Sequence, residues 1–406
     1  MSKIMAMTEG DFAAYKEKTF RFIWDELAPL EDEIEETGQV PRESLWPRFL
    51  DMGFLGQMVP PEYGGLGLSE AQFIQFEKEW SKIHGGLRTI LHVHNLGSEI
   101  LQHGTDAQKA DYYPRIARGE MSVAFALTEP EAGTGKDIKS RARRDGDNFI
   151  LNGTKHLITN ADFADLFNVV CWTESPSGEF QISNLLVERD SPGFSIGEMK
   201  PAMGCVGATH GRLNFNDCVV PVTNVLGQEG KGLDSTLYTL NVSRVRIAAC
   251  ALGTMERCLD MAVDFAKKRV TFGRPISERQ AVQRYLAEMA MDVYALQCVI
   301  DDTVRAIENG EDFFLKANLC KLLAIEAGRR VTDQGLLVMG GIGYTREYPM
   351  ERLYRDLRLN WLEEGTPTIH ISVAARGLLD GESTYASYQR ENLETPIEKA
   401  MKVFEL

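Results

Sequence analysis

A single carboxylate at a break between helix-patterned segments is the first candidate for chemistry in this sequence. Glu364 is followed by Gly365, Thr366 and Pro367, near the end of a long C-terminal region with helical periodicity. Gly and Pro interrupt a helix, so the carboxylate lies beside exposed backbone amides. Apolar surroundings raise the pKa of a carboxyl group and make its anion a stronger base. We therefore interpret Glu364 as a candidate general base.

Two β-rich segments far upstream contain threonines that could donate hydrogen bonds to a ligand. Segment 124–130, Ala-Phe-Ala-Leu-Thr-Glu-Pro, places Thr128 directly before an acid and a proline. Segment 154–160, Thr-Lys-His-Leu-Ile-Thr-Asn, contains Thr159 near its end. Threonine is also common on any pleated surface, so neither segment is specific alone. Their order along the chain, ahead of Glu364, carries the argument.

Taken together, the two segments and the Glu-Gly-Thr turn resemble the acyl-CoA dehydrogenase family. The resemblance implies an enzyme that uses FAD to oxidise an acyl-CoA thioester to an enoyl-CoA. Glu364 would remove the α-proton, the flavin would take the β-hydride, and an electron-transfer flavoprotein would receive the electrons. The implied fold class is α+β, with an N-terminal helical domain, a central antiparallel β-domain and a C-terminal helical bundle. The resemblance also implies a homotetramer, because cofactor contacts cross between subunits.

The same resemblance assigns cofactor contacts along the chain. Thr128 would bind the pyrimidine edge of the flavin, and Thr159 would approach its N5. Segment 269–273 followed by Gln280 is similar to the family's Arg-x-x-Phe-Gly…Gln pattern, in which the arginine meets the FAD diphosphate of a neighbouring subunit. The alternative for Arg269 is a helix end followed by a plain turn, and the alternative for the glycines at 340–343 is a helix C-cap. The predicted cofactor residues are Phe125, Leu127, Thr128, Leu157, Thr159, Arg269, Phe272, Gln280, Gly340, Gly341, Thr366 and Thr368.

Arg88 is the clue to the acyl group. Its setting, Gly-Gly-Leu-Arg at 85–88, is similar to that of glutaryl-CoA dehydrogenases, where an arginine receives the distal carboxylate, and Ile369-His370 is also similar to that branch. This predicts a dicarboxylic monothioester such as glutaryl-CoA or a substituted succinyl-CoA, for example benzylsuccinyl-CoA. The alternative is an arginine that is solvated or paired with an acid, as most are. The predicted substrate-binding residues are Arg88, His92, Thr134, Arg244 and Gly365.

The sequence departs from the family pattern at several positions. Glu363 replaces the tyrosine that commonly precedes the base, and we expect it to be a solvated or paired acid. If it faces the site, it raises the pKa of the base and disfavours an anionic substrate group. Leu157 replaces a tryptophan, and one residue is missing in the turn after Pro130. Ser243 occupies the position where some relatives carry their base on an earlier helix, which leaves Glu364 in that role.

Hydrophobic periodicity divides the chain into three regions. Residues 1–120 and 233–406 have helical periodicity, and residues 121–232 contain short β-rich runs separated by turns such as Asn152-Gly153. The clearest helix covers 280–308, a second covers 312–339, and Ser69 is the expected cap of an earlier helix. The predicted strands are 123–127, 149–151, 166–172, 184–187 and 212–215. No glycine-rich nucleotide fingerprint follows a strand, which disfavours a Rossmann or P-loop site.

Composition excludes several classes of function. The chain has 406 residues, a net charge of −15 and seven cysteines without a C-x-x-C pair. The acidic charge argues against nucleic-acid binding, and no apolar run is long enough to cross a bilayer. We expect buried thiols in a reducing compartment and a cytoplasmic protein. Although His84, His92, His94 and His103 cluster in sequence, we predict no metal site, because no carboxylate or cysteine completes the set.

Four alternatives remain open at this stage. A decarboxylating dehydrogenase could use the same arginine and base and then release CO₂. An oxidase would pass the electrons to oxygen, and a non-catalytic scaffold would keep the flavin as a structural element. Leu87, Ile90 and Leu91, the apolar neighbours of Arg88, could accept a ring of the acyl group or could equally belong to the core.

Overall fold

The computed structural model describes residues 7–133 and 137–379. Six helices form the N-terminal region: α1 Glu9–Phe22, α2 Glu31–Thr37, α3 Arg42–Asp51, α4 Glu70–Ile83, α5 Gly85–Ile100 and α6 Asp106–Ala117. Ser69 caps α4 as expected: its hydroxyl accepts from Gln72 N, and the Gln72 side chain accepts from Ser69 N in return. Phe54, Phe73, Phe76 and Trp80 lie at the centre of the apolar core of this region.

The start of α5 is set by two glycines that allow close packing. His84 has an extended backbone that separates α4 from α5. A Cβ on Gly86 would lie 2.0 Å from Val206 O, and one on Gly85 would lie 2.6 Å from the Asp356 carboxyl carbon. Only residues without a side chain fit there. The N-terminal end of α5 is therefore fixed against both the β-region and the C-terminal helices.

The middle region is a seven-stranded sheet. Its strands are β1 Val123–Ala126, β2 Arg141–Asp145, β3 Asn148–Thr159, β4 Leu166–Glu174, β5 Phe180–Glu188, β6 Phe194–Glu198 and β7 His210–Pro221. The order is β1-β4-β2-β3-β7-β6, with β5 paired to β4 along the whole length of β4. The pairs β2–β3, β3–β7, β4–β5 and β6–β7 are antiparallel, but β1–β4 and β2–β4 are parallel.

Two sequence predictions for this sheet were wrong in detail. An entirely antiparallel sheet was expected, but the long connections from β1 and from β2 to β4 allow parallel pairing. Asn152-Gly153 was expected to be a turn, yet β3 continues through it and only the register shifts there. Gly153 has φ 148°, and a Cβ on it would lie 2.4 Å from Ser140 Oγ, so the pair forms a bulge against the neighbouring segment.

Long helices form the C-terminal region: α7 Gly232–Lys268, α8 Gln280–Glu308, α9 Phe314–Met339, α10 Met350–Asn360 and α11 Pro367–Leu379. A small hairpin, β8 Val270–Thr271 and β9 Arg274–Pro275, joins α7 to α8. The predicted bounds of α8 are confirmed, and α9 begins two residues later than predicted, where Asp312 accepts from Phe314 N. Gln334 bonds Glu288 and Arg330 pairs with Asp292, which shows that α8 and α9 run antiparallel.

The helical regions are joined by buried ion pairs. Arg246 on α7 is fully buried and bonds Glu70 at 2.6 Å and Glu99 at 2.6 Å, which come from the N-terminal region. Six of the seven cysteines are buried, as predicted, but Cys298 on α8 is exposed. Within residues 7–133 and 137–379, the helices all fall short of the length and apolar character needed to span a bilayer.

Candidate active site

The turn that carries Glu364 connects α10 to α11 and has an unusual backbone. Glu364 has φ 58° and the following Gly365 has φ 111°. A left-handed conformation costs a residue with a side chain about 1–3 kcal/mol, and glycine adopts it freely. A Cβ on Gly365 would lie 3.2 Å from His370 Nε2, a tight contact from which the imidazole would have to move away. The surrounding structure must therefore hold this turn in place.

Buried donors hold the carbonyl groups of the turn. Lys321 Nζ on α9 donates to Glu363 O at 2.9 Å and also to Asn360 O. Arg244 Nε on α7 donates to Glu364 O at 3.1 Å, and His370 Nε2 lies 2.9 Å from Gly365 O. The last carbonyls of a helix lack partners within it, so these donors replace them. Three helices thus fix the position of the candidate base.

The carboxylate of Glu364 lies in a partly buried polar cluster. Ser243 Oγ on α7 donates to Glu364 Oε1 at 3.0 Å. Burial raises the pKa of Glu364, and the charge of Glu363 adds to this, while His92, Ser243 and Arg244 oppose it. A carboxylate with a raised pKa is the basic group that proton abstraction needs. Ser243, which sequence reasoning used only to exclude a second base, therefore contacts the base directly.

Glu363 forms a buried ion pair with Arg88. The two guanidinium nitrogens donate to the two carboxylate oxygens at 3.1 and 3.3 Å, and Arg88 is 2% exposed. Burial raises the pKa of Glu363, but the charge of Arg88 and that of His92 outweigh burial, and the net shift is downward. Glu363 is thus a paired acid. The partner of Arg88 in this structure is a protein carboxylate.

The two threonine segments lie side by side. Thr128 O accepts from His156 N at 2.8 Å, and Lys155 Nζ donates to Leu127 O at 2.8 Å and to Glu129 at 2.8 Å. Leu157 follows with φ 60° and a side chain that is 53% exposed. The predicted flavin face, to which Phe125 also belongs, is therefore one continuous surface at the ends of β1 and β3.

This surface adjoins the catalytic turn. Leu127 packs in one apolar cluster with Leu240, one helical turn before Ser243. Asn160 Nδ2 donates to Ile90 O at 3.1 Å, which joins the end of β3 to the helix that carries Arg88 and His92. The elements that carry Thr128, Thr159 and the candidate base thus meet in one region.

A second group of predicted cofactor residues lies at the far end of the C-terminal helices. Arg269, Phe272 and Gln280 flank the α7–α8 connection, and Gly340 and Gly341 follow α9, which ends beside the start of α8. Arg269 directly follows the last residue of α7 and is 25 residues beyond Arg244, a separation of about 37 Å along the helix axis. The length of α7 therefore separates the residues around Arg269 from those around the candidate base, and one FAD bound to one subunit cannot contact both groups. The resemblance accounts for this separation, since it assigns Arg269 to the cofactor of a neighbouring subunit.

Several features of the described residues fit a bound FAD. Phe272 is 97% exposed with φ 48°, and a Cβ on Gly340 or Gly341 would meet nothing within 4 Å. Within the described residues, His156 Nδ1 beside Thr128 is a buried polar atom without a partner. Exposed rings, open glycine backbone and an orphaned polar atom are what a large flat cofactor would cover.

Some functional residues were missed by sequence reasoning. Lys321 lies among the apolar positions of α9 and belongs to no recognisable motif. The only sign of its role in the sequence is a positive charge on an otherwise buried helix face. Glu77 and Cys250 were also missed: both lie next to His92, and ligand atoms of the three residues lie within 4.8 Å of one another. The statement that no carboxylate or cysteine accompanies the histidines was therefore wrong. Thr134 lies outside the described residues.

Three family models match the chain in order. Residues 11–120 match the acyl-CoA dehydrogenase N-terminal domain, 124–218 the middle domain and 230–379 the C-terminal domain. A curated relative, acryloyl-CoA reductase (NADH) of Anaerotignum propionicum, is 34% identical over 92% of this chain and 97% of its own. The chain belongs to the acyl-CoA dehydrogenase family, and it is an oxidoreductase with that family's three-part fold.

Solved structures agree with this assignment. Butyryl-CoA dehydrogenase of Megasphaera elsdenii is 31% identical with a TM-score of 0.85, over 92% of this chain and 99% of that one. Glutaryl-CoA dehydrogenase of Mycobacterium smegmatis is 27% identical with a TM-score of 0.86, over 92% and 96%. The comparisons therefore establish the family without singling out the glutaryl or benzylsuccinyl branch that the sequence predicted.

The buried Lys321 generates a prediction about stability and pH. Burial lowers the pKa of Lys321 from 10.5 to about 8. Between these values the unfolded chain binds a proton that the folded chain does not, so stability should rise with pH across this window. We expect the stability of the wild type relative to Lys321→Met to increase by about 3 kcal/mol from pH 8 to 10.5, measured by urea unfolding. Lys267→Met, at an exposed position on α7, is the control, and parallel curves for wild type and Lys321→Met would contradict the assignment.

Proposed function

We propose that this protein catalyses FAD-dependent α,β-dehydrogenation of an acyl-CoA thioester, with Glu364 as the base. The observation that supports the proposal is the Glu364 carboxylate, with a raised pKa, bonded to Ser243 on α7, the helix whose Leu240 shares an apolar cluster with Leu127 next to Thr128. A bound FAD would supply the hydride acceptor for the β-carbon. No other residue is needed as a base, because position 243 carries a serine.

The chain's own groups account for the proton transfer. Glu364 accepts the α-proton, and the negative charge that develops on the thioester oxygen needs a hydrogen-bond donor. By resemblance that donor is the backbone N–H of Glu364, and one such donor is typically worth about 10²–10³ in rate. The clamping of the turn by Lys321 and Arg244 keeps this donor and the carboxylate in a fixed relation.

We further propose that FAD is held between subunits of a homotetramer. Thr128, Leu157 and Thr159 would cover the ring in one subunit, with Thr366 and Thr368 beside the catalytic turn. Arg269 would supply its charge to the diphosphate bound by a neighbour, because an arginine fork matches phosphate geometry. The distance along α7 and the full exposure of Phe272 support this arrangement.

The acyl group is the finer part of the proposal, and two classes are in competition. The burial of Arg88 supports the dicarboxylic monothioester that the sequence predicted, because a distal carboxylate could bind its guanidinium. The ion pair with Glu363 favours a neutral acyl group instead, because the positive charge is already balanced. A substrate carboxylate would have to displace Glu363 or share Arg88 with it, at the cost of like-charge repulsion. We therefore place the neutral class first and the dicarboxylic class second.

An electron-transfer flavoprotein is the proposed electron acceptor. The name of the Anaerotignum relative points to NADH as its redox partner, so a nicotinamide-linked reductase acting in the reverse direction is the second candidate. An oxidase would consume oxygen without another acceptor, a decarboxylating enzyme would release CO₂, and a scaffold would bind flavin without bleaching. The cytoplasmic location remains a prediction from cysteine usage.

Glu364→Gln tests the base. The amide keeps the size of the side chain but cannot accept the proton, so flavin content should be retained. Reduction of the flavin by acyl-CoA should slow by at least about 10²–10⁴-fold, followed anaerobically by absorbance. Glu347→Gln, at an exposed position before α10, is the matched control. Bleaching of Glu364→Gln at the wild-type rate would exclude Glu364 as the base.

Glu363→Gln tests the acyl group. Wild-type flavin should be bleached by butyryl-CoA and much more weakly by glutaryl-CoA. The substitution removes the partner of Arg88, so glutaryl-CoA should bind at least tenfold more tightly while butyryl-CoA changes less, by spectral titration. Glu351→Gln, which removes one of the two carboxylate partners of Arg355 on α10, is the control. If wild type prefers glutaryl-CoA and Arg88→Met removes that preference selectively, the dicarboxylic class is correct.

Phe272→Ser tests assembly. A phenylalanine ring that is 97% exposed in one chain is expected to be covered by a neighbouring subunit. Replacing this ring by a hydroxyl group should therefore weaken both subunit association and cofactor retention. We expect reduced flavin content and a smaller mass by light scattering, with unchanged helical circular dichroism. Phe314→Ser, at the first residue of α9, should leave the flavin content and the mass unchanged. A tetramer with full flavin in Phe272→Ser would argue against this contact.

A further inference from the structure

A row of four polar side chains leads from the candidate base into the protein interior. Ser243 Oγ lies 3.0 Å from Glu364 Oε1 and 3.4 Å from His92 Nε2. His92 Nδ1 lies 2.9 Å from Glu77 Oε1. The second oxygen of Glu77 accepts from the thiol of Cys250 at 3.2 Å. The row therefore connects α4, α5, α7 and the catalytic turn without a gap.

A protonated His92 would donate to acceptors on both of its sides, and on the Ser243 side the hydrogen bonds then run toward the base. Burial lowers the pKa of His92, but the charge and hydrogen bond of Glu77 outweigh burial, and the net shift is upward. A protonated His92 donates through Nδ1 to Glu77 and through Nε2 to Ser243. The Ser243 hydroxyl then has its own proton free for Glu364. This polarity stabilises an ionised Glu364 and fixes which carboxylate oxygen faces Ser243.

Glu77 favours the charged form of His92 in a fully buried position, because its carboxylate lies 2.9 Å from Nδ1. Both residues are almost completely inaccessible, Glu77 at 0% and His92 at 2% exposure. A buried imidazolium without a carboxylate partner would lose its proton. A histidine that only packs in the core would not need hydrogen bonds that connect it, through Ser243, to the candidate base. His94, two residues further on α5, illustrates the contrast: it bonds only a backbone carbonyl, and burial lowers its pKa to about 4.

We propose that His92, held by Glu77, is a positioning residue that acts through Ser243 to keep Glu364 ionised and oriented for proton abstraction. The inference rests on the proposed function of Glu364 and deepens it. His92 acts at one remove from the substrate, because both of its ring nitrogens contact protein groups. In hydrolase triads a carboxylate also orients a histidine that acts on a serine, but there the serine is the nucleophile. Here the serine instead donates to a carboxylate, Glu364, which is the proposed base.

Other charged groups also act on this row, and the test must separate them. Glu364 is affected by Glu363 beside it and by Arg244 on α7, and its charge is felt by Lys321 on α9. His92 is affected by Glu77 on α4, Arg88 on its own helix and Glu363. The variants below leave Glu363, Arg88, Arg244 and Lys321 in place, so their contributions cancel in the comparison with wild type.

The experiment measures the pH at which the base becomes active. A thioester analogue with sulfur in place of the β-carbon can lose its α-proton but no hydride. Its α-hydrogen exchange in D₂O, followed by mass spectrometry, therefore reports on the base alone. The same enzymes are also assayed for flavin bleaching by butyryl-CoA across the same pH range. The variants are Glu77→Gln, Ser243→Ala and His92→Gln, with His94→Gln as the matched control.

Loss of the imidazolium should raise the pKa of Glu364 further, because one of the opposing charges is removed. The acid limb of the exchange profile should move upward by about one to two pH units in His92→Gln. Glu77→Gln, which keeps the shape of the side chain, should move it in the same direction, and Ser243→Ala should do so by a smaller amount. His94→Gln should give the wild-type profile. Full flavin content and cooperative unfolding show that a variant is folded.

Two outcomes would overturn the proposal. If Glu77→Gln and Ser243→Ala fold and their acid limbs coincide with that of wild type, the row is structural only. A stoichiometric metal ion in the purified holoenzyme, lost in Glu77→Gln, would show that the cluster is a metal site instead. Failure of the proposed function is distinguishable: wild type would then exchange α-hydrogens without bleaching, or Glu364→Gln would exchange them as fast as wild type.

Discussion

The requirement that governs this site is the satisfaction of backbone carbonyls at the end of a helix. α10 ends inside the protein, and the carbonyl of its last residue, Asn360, is bonded by a side chain of another helix, as are those of the catalytic turn. Lys321, Arg244 and His370 supply the donors, and they come from α9, α7 and α11. A left-handed Glu364 persists only because this network over-determines the turn. The position of the base is thus a consequence of how the helices pack, and a change in any of the three helices would be transmitted to it.

Because the donors are buried and positively charged, they bring charge into the protein interior. Acidic side chains nearby balance that charge. Arg88 is matched by Glu363 and His92 by Glu77, while burial depresses the pKa of Lys321, whose hydrogen-bond partners are uncharged carbonyls. Unpaired buried charges are costly, and paired ones are tolerated when their hydrogen bonds are complete. Glu364 is the acid whose pKa remains raised within this cluster. The same packing that fixes the base therefore also sets its basicity.

Local signals in the sequence were sufficient for a large part of this description. α8 was predicted to the residue because its apolar spacing is regular, and the Ser69 cap was predicted from adjacent residues. Glu364 could be proposed because the segments 124–130 and 154–160 precede it in the order of the acyl-CoA dehydrogenase family, although the Glu-Gly-Thr turn is uninformative alone. Parallel pairing of β1 with β4 could not be predicted, because it depends on long connections and carries no local mark. Lys321 and Glu77 were missed for the same reason: each acts on residues brought near by tertiary packing.

The role that the family resemblance assigns to Arg88 depends on a second residue, Glu363. The arginine lies where the resemblance places a carboxylate receptor, yet its partner, Glu363, lies 275 residues away in sequence. A carboxylate fixed within the fold has a high effective concentration at the guanidinium and has already lost the freedom that a substrate carboxylate must give up on binding. An external carboxylate competes with it only if the pocket offers further contacts. The identity of residue 363, which replaces the usual tyrosine, therefore decides what the cation at residue 88 can recognise, and neither position determines the acyl group alone.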